Sequence, residues 1–350
     1  MKAIAAVIAL LIPCNALLAG AAATTRIASL QKLWEERLVK AGGKPIVSEH
    51  YPTEEALVFL TAYDFTRDQR YARQAAVQLD YCHSREVDGL LVTSGKTTTR
   101  DYQARQIYNF YLAYRILADG RYLHWADDCA AAMAARIPRE SHEAAGETHM
   151  LFLAGYFTPD GKPHHETGNA IDPNQNAEVA LAYTLLQHDP ASKFFRDPLA
   201  RSIAFDELLA SMSIQDPNTG ALPVHESMPD GFDTAYGSYA VFSWVWCQQL
   251  WHDERFEQHI RLAAKWLGPR TDLARDSQRW YPKRIENGVV PDWEANYRLA
   301  LLWHCGLADA RSFAANLIGR GAEPPIYWAY FDLMGMPRSL FLGETEAKTP

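Results

Sequence analysis

Apolar residues recur every three or four positions along most of this chain, which is the spacing of one face of an α-helix. The pattern predicts helices over residues 26–41, 53–65, 69–84, 100–118, 121–137, 173–187, 198–212, 235–251, 254–267, 292–305, 309–319 and 325–335. Strand signals are few, and they predict short hairpins within loops near residues 90–92 and 150–157. The sequence therefore predicts an all-α protein.

The connections between these helices alternate between short and long. Short turns carry the signature Asp-x-Arg-Tyr/Phe, which starts at Asp68, Asp119 and Asp253, with looser versions at 197–201 and 309–313. Long loops cover residues 85–99, 138–172, 213–234 and 268–291. Self-similarity at this spacing is typical of an array of helical hairpins.

The two helices of each hairpin differ in character. Helices that follow long loops are apolar nearly all round, as in YAVFSWVWCQQLW, whereas helices that follow short turns are amphipathic, as in FEQHIRLAAKWLG. An apolar helix is buried and an amphipathic one lies at the surface. Six buried helices inside six amphipathic ones predict an (α/α)6 toroid with its long loops on one face. An open α-solenoid is the alternative, and the large apolar inner layer disfavours it.

The first 23 residues have the pattern of a secretory signal peptide: Met1-Lys2, then an apolar stretch, then small residues. We therefore expect an exported protein, periplasmic or secreted, in which residues 24–350 form a single domain without a membrane span. The net charge of −8 and the lack of a Lys/Arg cluster argue against nucleic acid as a partner. The oligomeric state is left open.

The cysteines and histidines give no metal motif. Four cysteines follow the leader without CxxC spacing: Cys82, Cys129, Cys247 and Cys305. They are either buried thiols or two disulfides, for which the pairs Cys247–Cys305 and Cys82–Cys129 are expected. The His164-His165-Glu166 run lacks a third ligand at helical spacing. P-loop, dinucleotide and nucleophile-elbow motifs are also absent from the sequence, so we expect no metal and no cofactor.

The repeated turn resembles the hairpin turn of the six-hairpin glycosidase-like superfamily, over most of the chain that follows the leader. The segment QDPNTGALP at 215–223, followed by DTAYGSYA at 233–240, is similar to a loop and inner helix of the unsaturated glucuronyl and rhamnogalacturonyl hydrolases. Leu222 stands where those families usually carry an aromatic residue, and their paired Asp at the start of an inner helix is missing here. The resemblance implies a toroid that acts on carbohydrate.

In such a toroid the first turns of the inner helices surround a central cleft on the face of the long loops. Glycoside hydrolysis needs two carboxyl groups that flank the scissile bond. The candidates are Glu178, Glu226, Asp233 and Glu294. Asp172, which precedes Pro173, is interpreted as an ordinary N-cap residue.

A sugar is bound by aromatic rings against its C–H face and by polar groups on its hydroxyls. The candidates at the first turns and in the adjacent loops are Tyr102, Arg105, Asn174, Asn176, His225, Tyr236, Tyr239, Trp293, Asn296 and Tyr297. Arg105 could receive a substrate carboxylate through two parallel hydrogen bonds.

These residues favour an exported glycoside hydrolase that acts on a polysaccharide or oligosaccharide, with uronate-containing chains among the candidate substrates. A polysaccharide lyase or epimerase on uronic acids is the first alternative, with Arg105, Asn176, His225 and Tyr239 in the key roles. A non-catalytic glycan-binding protein of an export or assembly system is the second.

Overall fold

The computed structural model describes residues 24–47, 52–92, 97–164, 171–229, 234–267, 292–306, 310–315 and 328–342, and only the backbone is described for residues 234–235 and 292–296. The predicted signal peptide at 1–23 lies outside these ranges. The helices are α1 (24–41), α2 (Pro52–Thr66), α3 (Gln69–Ser84), α4 (Arg100–Leu117), α5 (Gly120–Arg136), α6 (Pro173–His188), α7 (Pro198–Ser213), α8 (Thr234–Trp251), α9 (Glu254–Leu267), α10 (Asp292–Cys305), α11 (310–315), α12 (Ala329–Leu333) and α13 (Arg338–Leu342).

The even-numbered helices α2 to α12 form an inner ring. Each packs against the next in chain order, and α12 returns to α2. The odd-numbered helices α1 to α11 each lie outside an inner helix. In α6 every residue except Gln175 and His188 is buried, whereas α9 buries only one face. This arrangement is the predicted (α/α)6 toroid, and the first ten predicted helices agree with it closely. The predicted helices at 309–319 and 325–335 extend partly outside the described residues.

The short turns explain the repeated signature. In four of them a non-glycine residue in the left-handed region, with φ between 53° and 58°, directly precedes the capping aspartate: Arg67, Ala118, Arg196 and His252. Arg67, Ala118 and His252 also directly follow the last residue of an inner helix. The aspartate that follows caps the outer helix by accepting a backbone N–H bond of 2.9–3.0 Å, at Asp68, Asp119, Asp197 and Asp253. Such a cap stabilises a helix by about 1 kcal/mol, which offsets the free-energy cost of the left-handed conformation at the preceding residue.

The arginine and the aromatic residue of the signature have separate roles. The arginine turns back toward the capping carboxylate; Arg70 Nε, for example, donates to Asp68 Oδ2 at 2.9 Å. The aromatic ring is buried between the helices, where Tyr71, Tyr122 and Phe256 are at most 4% exposed. Each guanidinium lies 4.8–6.0 Å from the centroid of that ring. The signature is therefore a cap and an anchor on the side opposite the long loops.

Two antiparallel hairpins lie in the long loops. The first pairs β1 (Glu86–Val87) with β2 (Leu90–Leu91), and the second pairs β3 (Arg139–Ala144) with β4 (Glu147–Phe152). The strand predicted at 90–92 overlaps β2, and the one predicted at 150–157 overlaps only the end of β4. The second hairpin turns at Ala145-Gly146, both with positive φ, as two-residue hairpins require. Both hairpins reach the first turn of α4.

The four cysteines of the described chain are free thiols. Neither of the expected disulfide pairs is formed. Within the described ranges, no helix combines the length and the apolar character that crossing a bilayer requires.

Candidate functional site

The N-terminal turns of α2, α4 and α6 converge on one guanidinium group. Arg105 on α4 donates from Nε and Nη2 to both carboxylate oxygens of Glu178 on α6, at 3.0 and 2.8 Å. Its Nη1 donates to Glu54 on α2 at 2.8 Å. Arg105 is 8% exposed and Glu178 1%. An arginine this deep in a protein needs such partners, because an unpaired buried charge is strongly unfavourable.

Both carboxyl groups in this cluster have raised pKa values. Burial raises the pKa of Glu178 to about 7, although Arg105 acts in the opposite direction. Burial also raises the pKa of Glu54 against the effect of Arg105. The Glu54 side chain nevertheless keeps 34% of its surface accessible. An accessible carboxyl group with this pKa shift is surrounded by protein on most sides, as in the wall of a cleft.

Four tyrosines pack together beside Arg105. The Tyr239 ring centroid lies 5.4 Å from the Arg105 guanidinium carbon and 4.5 Å from the centroid of the Tyr297 ring. Tyr330 of α12 packs edge-on against Tyr108 and donates from its hydroxyl to Asn109 at 2.7 Å. Burial raises the pKa of all four tyrosines, so they are neutral phenols at physiological pH. They can stack and donate hydrogen bonds, but they are poor bases.

A second pair of carboxyl groups lies at the starts of α4 and α6. Asp101 is in the first turn of α4, 7% exposed, and accepts a hydrogen bond from Thr99 Oγ1 at 2.5 Å. Asp172 occupies the N-cap position of α6. Burial raises the pKa of Asp172 to about 6; Arg100 and the backbone amides of α6 lower it, and the negative charge of Asp101 raises it further. Asp101 likewise raises the pKa of Glu178.

Asp172 differs from the other capping aspartates of this chain. Its side chain forms no capping hydrogen bond with α6. Its Oδ1 is buried and lacks a hydrogen-bond partner within the described part of the chain. The capping bonds at Asp68 and Asp253 help to lower the pKa of those carboxyl groups, whereas at Asp172 burial outweighs the effect of the Asn174 and Gln175 amides and raises the pKa. Asp172 has the position of a cap without a capping hydrogen bond, and its pKa is raised, which marks it as a functional candidate.

Asn176 and Arg100 form a buried frame beneath Asp172. Asn176 accepts from the Asp172 amide at 2.9 Å and donates to Glu207 at 2.6 Å. Arg100 donates to Phe152 O, Gln175 and Asn176 at 2.8–3.3 Å. Both Asn176 (0% exposed) and Arg100 (1%) lie in the interior. Asn176 was predicted to bind substrate; the structure places it in the interior, where its amide oxygen accepts from Asp172 and its amide nitrogen donates to Glu207.

The predicted carboxylates separate into three groups. Glu178 lies in the central cluster, with both oxygens bound to Arg105. Glu226 lies farther out, where its oxygens contact His142 Nε2 at 3.0 Å and the amide of Ile171 at 3.2 Å. Asp233 and the side chain of Glu294 lie outside the described residues, so their roles stay predictions.

The predicted binding residues are also distributed unevenly. Tyr239 and Tyr297 belong to the cluster, and Tyr102, which is 6% exposed, lies next to Asp101. Tyr236 is partly buried in the first turn of α8. Asn174, 6% exposed, is one helical turn before Glu178, and no hydrogen bond to its amide group is formed within the described part of the chain. The side chains of Trp293 and Asn296 lie outside the described residues.

Arg105 and His225, both predicted to bind substrate, are hydrogen-bonded to other groups of the protein. Arg105 does receive a carboxylate bidentately, but that carboxylate is Glu178 of the protein and not a substrate. His225 accepts the backbone N–H of Ser227 at Nδ1, 3.1 Å away. Partial burial, with Arg100 nearby, lowers the pKa of His225. Its neutral ring therefore carries the proton on Nε2 and presents a donor.

Sequence reasoning did not consider four residues of this cluster, and it interpreted a fifth differently. Glu54, Asp101, Tyr108 and Tyr330 were not considered, and Asp172 was taken for a simple cap. The signal for Glu54 and Asp101 was available, since both lie in the first turn of an inner helix. Within the residues that the structure describes, no group of three or more His, Cys, Asp or Glu side chains could hold a metal ion.

Comparisons with known proteins bear on the fold. No protein-family model matches the chain, and no curated protein matches it in sequence. Among solved structures it is similar to a GH76A α-1,6-mannanase from Salegentibacter sp. (12% identity, TM-score 0.56, 82% of this chain and 85% of that one). It is also similar to a GH76 α-mannanase from Bacteroides thetaiotaomicron (13%, 0.55, 87% and 90%) and to cellobiose 2-epimerase from Bacillus thermoamylovorans (13%, 0.54, 83% and 78%).

At these identities the similarity concerns architecture. The chain is a six-hairpin (α/α)6 toroid, and the predicted resemblance to the six-hairpin glycosidase-like fold is confirmed. The fold alone does not determine the function, which depends on the residues of the site.

Proposed function

We propose that this protein is a carbohydrate-active enzyme that hydrolyses glycosidic bonds of an oligosaccharide or polysaccharide bound at the starts of α2, α4, α6 and α8. The observation that carries the proposal is Asp172, a partly buried carboxyl group with a pKa of about 6, no capping bond and Asp101 beside it. A general acid needs such a pKa, because it must be protonated before reaction and able to release the proton.

In this proposal Asp172 protonates the glycosidic oxygen as the C–O bond breaks. A water molecule adds to the anomeric carbon, and its proton passes to a second carboxyl group, for which Asp101 is the candidate. Tyr239 offers a ring for the apolar face of the sugar, and the amide group of Asn174 offers hydrogen bonds to hydroxyl groups. The partly accessible Glu54 is a third carboxyl group that a sugar can reach.

Two observations favour hydrolysis over the lyase alternative. A lyase needs a base for the sugar C5 proton, and the raised pKa of Tyr239 keeps its phenol neutral. It also needs a cation for the uronate carboxylate, but Glu178 and Glu54 already engage all three nitrogens of Arg105. The structural relatives named above, two mannanases and an epimerase, support a sugar as substrate, and a similar D-mannose isomerase agrees (14% identity, TM-score 0.51).

The test is incubation with α-mannan, β-glucan oligosaccharides and uronate-containing polymers, followed by product analysis. Hydrolysis releases reducing ends, a lyase yields an ultraviolet-absorbing C4–C5 double bond, and an epimerase changes the sugar without shortening the chain. Asp172→Asn should lower the hydrolytic rate by about 10²–10⁴-fold. Asp80→Asn, an exposed carboxylate paired with Arg121, is the control and should retain full rate.

Three results would overturn the proposal. One is an absorbing or epimerised product in place of new reducing ends. Another is an Asp172→Asn variant as active as Asp80→Asn. The third is glycan binding without turnover of any substrate, which would favour the binding-protein alternative.

We also propose that the protein is exported after cleavage near residue 23, because residues 1–23 have the composition of a signal peptide. Expression of the full chain in a bacterial host should give a mature N-terminus near residue 24 in the periplasmic or extracellular fraction. N-terminal sequencing of fractionated cells checks this. An intact Met1 on the folded protein in the cytoplasm would contradict it.

A further inference from the structure

Glu226 holds the residue that precedes Asp172 at two points. The backbone N–H of Glu226 donates to the carbonyl of Ile171 at 2.9 Å. The N–H of Ile171 donates back to the Glu226 carboxylate, at 3.2 Å from Oε2. One side chain and its own backbone thus satisfy both peptide groups of Ile171. Because Ile171 is bonded directly to Asp172, this contact fixes the chain on the N-terminal side of that aspartate.

The other oxygen of Glu226 is held by the β3–β4 hairpin. His142 on β3 contacts Oε1 through Nε2 at 3.0 Å. The underside of the same hairpin covers Ile171, whose side chain is fully buried against Ala144, Leu151 and Ala210. The hairpin, Glu226 and Ile171 therefore form one packed unit above the start of α6.

The hairpin is itself fixed to the outer helix α7. Arg139 at its start pairs with Asp206 at 3.3 Å, and the amide of Phe152 at its end donates to Glu207 at 2.8 Å. Glu207 also accepts from Asn176, which holds the Asp172 amide from the helix side. Asp172 is consequently fixed from both directions, by Glu226 before it and by Asn176 after it.

We infer that Glu226 is a positioning residue for Asp172, which sets the place of the reacting carboxyl group through Ile171 without itself touching the substrate. The inference rests on the proposed function for its kinetic part. It differs from the expectation that Glu226 supplies one of the two catalytic carboxylates, because both oxygens of Glu226 are engaged by the protein. Without the hydrogen bonds from Glu226, Ile171 no longer fixes the position of Asp172. Displacement of a catalytic group by about 1 Å can lower a rate by roughly 10²-fold.

Two substitutions of Glu226 separate the effect of its charge on activity from the effect of its hydrogen bonds. Glu226→Gln keeps an oxygen for the Ile171 amide and a second polar group for His142, so it should retain most of kcat. Glu226→Ala removes both and should lower kcat by about 10–10²-fold with little change in KM. Glu140→Ala on the exposed face of β3 is the matched control and should behave as wild type. A catalytic carboxylate would instead lose activity equally in Gln and Ala.

Direct titration of Asp172 gives a readout that does not depend on the reaction. Aspartate carboxyl groups are labelled with carbon-13, and Asp172→Asn identifies the resonance. In wild type and in Glu226→Gln the pKa of Asp172 should lie well above the ordinary value for aspartate. In Glu226→Ala it should fall toward that value, because the freed segment lets water reach the carboxyl group.

An unchanged Asp172 pKa in Glu226→Ala would overturn the inference, whatever the enzyme does. So would a Glu226→Gln variant as inactive as Glu226→Ala. A pKa that falls as expected in a protein that hydrolyses no glycan would support the positioning role and count against the proposed function alone.

Discussion

Replacing Asp172 with asparagine should make the protein more stable and nearly inactive. Folding raises the pKa of this carboxyl group from about 3.8 to about 6 because of burial. The folded state therefore binds the proton more tightly than the unfolded state. Stability should fall as the pH rises from about 4 to about 6, and the full penalty is present above pH 6. Two pKa units correspond to about 3 kcal/mol, which is an upper limit for a group that is only partly buried.

Alanine at the same position distinguishes this interpretation from ordinary capping. A true N-cap contributes about 1 kcal/mol, which alanine removes. Asp172 forms no capping bond, so Asp172→Ala should leave stability unchanged or raise it at pH 7.5. Asp119→Ala in the turn before α5 is the matched control, because Asp119 accepts from Arg121 N at 3.0 Å. That variant should lose about 1 kcal/mol and keep its activity.

Urea unfolding followed by tryptophan fluorescence measures these differences, since the chain contains 10 tryptophans. Unfolding at pH 5 and pH 7.5 should show the gain of Asp172→Asn increasing with pH, because only the ionised carboxylate is penalised. The reasoning is refuted if Asp172→Ala destabilises the protein as much as Asp119→Ala does. It is also refuted if the gain of Asp172→Asn is the same at both pH values.

Three further perturbations test the frame of the site, each by urea unfolding. Arg105→Met should lower the free energy of unfolding by about 3–5 kcal/mol by leaving Glu178 buried and unpaired, whereas adding Glu178→Leu should recover most of the loss; an equal loss in the double variant would contradict this. Ala118→Gly should stabilise by about 0.4–1 kcal/mol, since the residue has φ 54°, and a destabilised variant would argue against the left-handed turn. Tyr330→Phe should cost about 1–2 kcal/mol by leaving Asn109 Oδ1 without its donor, and a neutral effect would show that water replaces it.

The fold could be predicted because its determinants are local. Helical periodicity placed the helix ends within a few residues, and the Asp-x-Arg-aromatic turns showed where hairpins close. Strand β3 could not be predicted, because its sequence RESHEA has no apolar alternation. The strand is held by contacts distant in sequence, with Asp206 and Glu207 on α7. Patterns within a short window do not contain such contacts.

The site was predicted in location more than in detail. The rule that the N-terminal turns of the inner helices lie together selected Arg105, Glu178, Tyr239 and Tyr297, and the structure brings these side chains into one cluster. It could not show that Arg105 pairs with Glu178, because the two residues are 73 positions apart and meet only across the ring. The missing capping bond of Asp172 could not be predicted for a related reason. An aspartate before Pro173 is the usual start of a helix, and only the geometry shows that its capping bond is missing.

Aspartates at the same helix position therefore have opposite roles at the two ends of the toroid. At Asp68, Asp119, Asp197 and Asp253 the carboxylate accepts a backbone N–H and so stabilises an outer helix. At Asp172 no capping hydrogen bond forms, and burial raises the pKa despite the nearby Asn174 and Gln175 amides, so the ionised group opposes folding. Functional sites commonly contain groups that lower the stability of the fold. A side chain whose hydrogen bonds are all made within the protein would interact only weakly with a substrate. The stabilising turns lie on the opposite side from the long loops, so changes there should alter stability while the chemistry at the starts of the inner helices is preserved.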